Sequence, residues 1–135
     1  MSLDLAVRNA LTAAVLGRVS YQGPATVYVA LIVSASTALS GGTEVAGGSY
    51  ARVAIANNQT NFPAPTTGVT TNASAITFPT SSAAWGTVNA VRLYDASSGG
   101  NLVGGTIITP GATVDASGIT VSFPAGQLSL TITSP

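Results

Sequence analysis

The chain has no cysteine, no histidine and no lysine. Without cysteine it can form no disulfide, no thiolate nucleophile and no thiolate metal site. Without histidine it lacks the commonest general base and metal ligand. Charge of either sign is scarce. Only 6% of the residues are charged, where about a quarter is usual. Arg8, Arg18, Arg52 and Arg92 balance Asp4, Glu44, Asp95 and Asp115, for a net charge of zero. Four scattered arginines make no basic stripe for a nucleic-acid backbone. No apolar run approaches the ~20 residues of a bilayer span. The first residues do not read as a secretion signal, because Asp4 interrupts them and the apolar residues are spaced for a helix face. No repeat of fixed period is found.

What is present is hydrophobic and hydroxyl-rich. Apolar residues make up 46% of the 135 positions, and serine with threonine roughly a quarter, well above average usage. Disorder goes with the opposite balance, so the chain is expected to fold, as one domain over residues 1–135. A neutral surface this poor in charge has low colloidal stability. Cover by partners or sister copies resolves that.

Residues 75–108 organise the rest. Ile76 and Phe78 alternate with Thr77 in a short strand. Residues 86–95 and 101–109 form two more, joined by an Ala-Ser-Ser-Gly-Gly turn. Val91 and Leu93 are expected on one face, Val88 and Tyr94 on the other. Trp85, the one tryptophan, enters this hairpin as a core plug closing one end of a sandwich.

Around this hairpin the periodicities alternate. Residues 3–16 carry Leu3, Val7, Ala10, Leu11, Ala14 and Val15 at helical spacing, with Ser2 as the expected cap and Gly17 as the stop. The helix either folds back on its own sandwich or acts as an arm (residues 1–17) that docks on a neighbour through Leu3, Val7 and Leu11. ATVYVALIV (25–33) is apolar on both faces and reads as a central strand. Residues 47–55 form the next strand, with Tyr50 and Arg52 on one face. Arg52 is a rim salt bridge to Glu44 or Asp95, or an interface anchor with Tyr50. Residues 34–48, 57–73 and 110–117 read as loops. Ile119, Val121 and Phe123, then Leu128, Leu130 and Ile132, form two alternating strands expected to pair as a hairpin. The sum is a mainly β domain: an antiparallel β-sandwich, jelly-roll-like, of about seven to eight strands over residues 24–135, with one N-terminal α-helix. Trp85, Val91, Leu93, Leu128, Leu130 and Ile132 belong to its core.

No catalytic constellation is visible. A serine triad needs a base that is absent, and four dispersed carboxylates supply no paired acid and base. Asp95 and Asp115 read as turn residues, and no acidic cluster suits calcium. The Gly-Gly pairs lack the spacing of a phosphate cradle. No enzyme activity, metal or cofactor is expected.

The runs GPATVYVALIVSA (23–35), GGSYARVAI (47–55), ITFPTSSAAWGTVNAVRLYDASSGGNLV (76–103) and FPAGQLSLTIT (123–133) resemble a family of small virion proteins of tailed bacteriophages. Its relatives include tail-fibre proteins and capsid cement (decoration) proteins. Where the family pattern often has an aromatic residue or histidine, this chain has Ala90, Val91 and Arg92. The resemblance implies a virion structural protein. As a cement protein it would bind the assembled head on the outer capsid surface after synthesis in the host cytoplasm. Its partners would be the major capsid protein and itself, as a homotrimer, with neither nucleic acid nor membrane involved. The alternative implied is a tail or tail-fibre-associated adaptor.

Overall fold

The computed structural model describes residues 1–131. Ten strands, all paired antiparallel, and one helix make up its regular structure. The strands are β1 (Ser2–Leu3), β2 (Thr26–Val33), β3 (Thr43–Glu44), β4 (Val53–Ala56), β5 (Val69–Thr71), β6 (Ile76–Thr77), β7 (Gly86–Tyr94), β8 (Leu102–Val114), β9 (Ser122–Phe123) and β10 (Ser129–Thr131); the helix is α1 (Leu5–Val15). One large sheet runs β1-β8-β7-β2-β3, and β4 also pairs with β2. Two ribbons, β5 with β10 and β6 with β9, form the opposing layer.

The core lies between these layers. Val29, Leu31, Val88, Val91, Leu93 and Val114 project from the large sheet onto Ile76, Phe78, Val121, Phe123 and Leu128. An aromatic chain runs through it. Tyr50 stacks on Phe78 with centroids 6.2 Å apart and meets Trp85 edge-on at 5.6 Å. Phe78 in turn meets Phe123 edge-on. Trp85 is buried, and its Nε1 donates to the Gly48 carbonyl at 3.0 Å. Its indole is therefore packing and is not presented to a ligand.

Several strands depart from the pattern reading. Val88 faces the core beside Val91 and Leu93 instead of lying on the opposite face. The reason is a bulge: Val33 pairs with Val88 and Ile32 with Ala90, leaving Asn89 as an extra residue that shifts the alternation by one. The Asn89 carboxamide holds this kink, accepting from Ala35 N at 2.8 Å and donating to Ala35 O at 3.0 Å. Opposite it, Ala90 pairs with Ile107 and Val88 with Ala112, so residues 108–111 of β8 bow outward. β8 nevertheless continues to Val114, through what reads in sequence as a loop.

The strand expected over residues 47–55 shortens to Val53–Ala56, because Gly47, Gly48 and Ser49 take positive φ. The two C-terminal strands turn at residues 124–127 without pairing with each other; β9 joins β6 and β10 joins β5. Buried Asn72 draws them apart. Its carboxamide donates to Pro124 O and Ser74 O and accepts from Leu128 N. The segment 34–48 is no free loop: it supplies β3 and folds over the outer face of the large sheet, burying Ile32, Ala30 and Ala90.

Candidate interaction surface

Asp4, not Ser2, caps α1. Its carboxylate accepts from Ala6 N at 3.0 Å. Ser2 and Leu3 are drawn into the large sheet instead, opposite Gly105 and Gly104. The far end closes with Arg18 N on Ala13 O and Gly17 N on Ala14 O, with Gly17 at φ 69°. This is the paired-bond stop in which a left-handed glycine satisfies the last carbonyls.

α1 presents an apolar stripe on both sides. Val7 and Leu11 face inward and, with Leu3, roof an apolar cavity of about 320 Å³ floored by Val29, Leu93 and Leu128. No residue of the helix is fully buried. On the outward side Leu5 is 58% exposed, Leu16 64% and, beside them, Val15 84% and Val19 55%. Val15, assigned by spacing to the inner stripe, is a correction: it lies outside. An amphipathic surface helix normally turns polar residues outward; here Leu5, Val15 and Leu16 stand exposed among Arg8, Asn9 and Thr12.

Two buried arginines fasten the opposite end and the outer face of the sheet. Arg52 lies with only 5% of its side chain exposed, bonded to Glu44 through Nε–Oε1 and Nη2–Oε2, both 2.7 Å. Nη1 donates to Ala96 O at 2.7 Å and Gly99 O at 2.9 Å, and the guanidinium carbon sits 4.0 Å from the Tyr94 ring centroid. Tyr50 Oη donates to Glu44 Oε1 and accepts from Leu31 N. Burial pushes the Glu44 carboxyl up, but the Arg52 and Tyr50 hydrogen bonds and the Arg52 charge outweigh it and hold it low. Burial, joined by the Glu44 carboxylate, pushes the Tyr50 hydroxyl well up. Tyr50 and Arg52, expected at a rim or an interface, thus spend their polar atoms inside the chain.

Arg92 is the second. It is buried and donates to the carbonyls of Ala38, Gly41 and Thr37. Its bonds hold segment 36–41 against the sheet. Gly105 leaves the space for this, since a Cβ there would strike Ala38 O.

The structure brings Leu3, Val7 and Leu11 together over the cavity, although Leu3 arrives on a strand and not on the helix. Trp85, Val91, Leu93 and Leu128 lie in the core; Leu130 is half-buried at the cavity, and Ile132 lies outside the described residues. Sequence reasoning missed Leu5 and Leu16, which a helical wheel sets opposite Val7 and Leu11. It also missed Arg92, for which no sequence signal exists. The acids are dispersed: Asp4 caps the helix, Glu44 pairs with Arg52, and Asp95 closes a turn on Asn101. Among the described residues no three acidic side chains gather as a metal site would require. No helix there is long and apolar enough to cross a membrane.

A model of the family described as Podophage GP4 fiber I protein gp80 matches residues 3–131. No curated protein matches the chain.

Proposed function

Because the chain belongs to the podophage GP4 fiber I protein gp80 family of phage virion structural proteins, we propose that it is a non-enzymatic, fibre-associated subunit of a podophage virion. The observation that carries the proposal is the family match across nearly the whole chain. The geometry supports it. Glu44, Asp95 and Asp4 are each engaged in holding the fold, and the exposed apolar side chains on α1 offer contact area in place of chemistry.

The capsid-cement reading is kept as the second proposal. It is favoured by the way the strands fold back on one core instead of repeating along a shaft, as a module seated on a shell would. In that role the protein would meet the major capsid protein at many equivalent sites, and mass action would favour the assembled lattice.

Copy number and position on purified virions separate the two. A few dozen copies or fewer, with gold-labelled antibody at the tail or fibres, supports the fibre reading. Hundreds of copies spread over the head supports cement. Absence from purified particles overturns both.

A further inference from the structure

The cavity under α1 is closed at one end and open at the other. Val29, Ile76, Leu93 and Leu128, which line its depth, are buried. Gly23, Asn57, Pro65 and Gly68 line it too and are exposed, so its mouth lies between segment 21–24 and the 57–68 loop. Among the described residues that line it, no side chain is charged. The polar groups near the mouth are partly spent: the Asn57 carboxamide donates to Pro24 O at 2.8 Å and the Thr70 hydroxyl to Pro63 O. The four buried residues offer water no donor or acceptor side chain, and a buried water needs several such partners.

We infer that this cavity binds the alkyl chain of a single-chain amphiphile with an uncharged, hydroxylated head. The chain reaches Val29 and Leu93, and the head stays at the mouth. An apolar cavity of ~150 Å³ is enough to hold benzene without water. This one, at about 320 Å³, has room for a longer hydrocarbon. Each methylene taken out of water favours the complex, whereas a hydroxyl carried to the deep end would find no partner there. That asymmetry sets the direction of entry. The uncharged lining sets the head, since it holds no side chain that would pair with an ionised one. No residue of the roofing helix is fully buried, so a chain entering beneath it disturbs little of the core.

The inference does not rest on the fibre reading, because binding is measured on the purified chain and virion position on particles. The probe is N-phenylnaphthylamine, an apolar dye that brightens out of water, and straight-chain alcohols compete with it. Each methylene added from butanol to octanol should strengthen competition about fourfold. Octanediol with a hydroxyl at each end should compete at least about tenfold more weakly than octanol, because one hydroxyl is then buried unbonded. Leu11→Trp, which fills the space from the roof, should abolish dye binding, with far-ultraviolet circular dichroism unchanged as a control for folding. Should that variant fail to fold, the alcohol series on the parent chain still decides. Phosphatidylcholine vesicles should not sediment the chain, since a two-chain lipid leaves one tail outside the cavity. No dye binding by the parent, equal competition by octanol and the diol, dye binding indifferent to Leu11→Trp in the folded variant, or sedimentation with the vesicles would each overturn the inference.

Discussion

Arg52 grips Glu44 through two parallel hydrogen bonds of 2.7 Å while its remaining nitrogen holds the 96–99 turn. One guanidinium thus ties β3, the approach to β4 and the β7–β8 hairpin together. Truncating it takes two donors from the partly buried Glu44 carboxylate, which keeps the Tyr50 hydroxyl, and the Arg52 donor from the Ala96 and Gly99 carbonyls. Arg52→Ala is expected to cost about 2 kcal/mol, the scale of lost hydrogen bonds to a charged group. Glu44→Gln, which keeps a neutral acceptor, should cost less. Urea unfolding measures both. Two midpoints indistinguishable from the parent would show that the pair does not hold the fold.

The same pair sets a dependence on pH. Glu44 is held below the usual carboxylate range, and Asp95 is also lowered, chiefly by the Asn101 side chain. A carboxyl lowered in the folded state adds stability above its unfolded pKa, and that stability is lost as pH falls through the folded value. Melting temperature should therefore hold level down to about pH 4.3, the free glutamate value, and decline below it. Glu44→Gln should flatten part of that decline. With no histidine in the chain, no step is expected between about pH 5 and 7. A step there would contradict the assignment.

Gly105 is required by its neighbours. A Cβ at this position would strike the Ala38 carbonyl and come within 3.0 Å of Arg92 Cγ and Val91 O. Gly105→Ala should push segment 36–41 off the sheet at a cost of about 1–3 kcal/mol, as overpacking does. Limited proteolysis should then cut within 36–42 before the rest of the chain. Cleavage there at the parent rate would mean that the segment is not seated by this contact.

Asn72 joins both ends of the 124–128 turn from a buried position. Asn72→Ala removes three hydrogen bonds and leaves Leu128 N, in a buried stretch, without its acceptor. The expected loss is about 2–3 kcal/mol. Asn72→Asp should be worse at neutral pH, since a carboxylate cannot donate to Pro124 O. Asn72-Ala73-Ser74 has the Asn-X-Ser/Thr form of a glycan acceptor, but burial rules Asn72 out for that in the folded chain. Thermal melting of the two variants checks the order.

The legible parts of this molecule were the ones written in local periodicity. ATVYVALIV announces a strand covered on both sides because side chains alternate about an extended backbone whatever lies beside it. The spacing of Val7, Leu11 and Gly17 announces a helix and its end. The lack of cysteine, histidine and lysine is the ground for expecting a function carried by shape and contact.

Tertiary structure decided what depends on partners distant in sequence. Asn89 becomes a bulge, and so turns Val88 inward, because Ala35 waits 54 residues away to receive its carboxamide. β9 and β10 look like a hairpin, yet Asn72 and the free edges of β5 and β6 offer each a different mate. Arg52 and Glu44 stand eight residues apart, but only the folded loop makes them a partly buried pair. The physical reason is common to all three. A side chain's direction follows from its own backbone angles, whereas its partner is chosen by the free energy of the whole packed arrangement, which no short stretch of sequence contains.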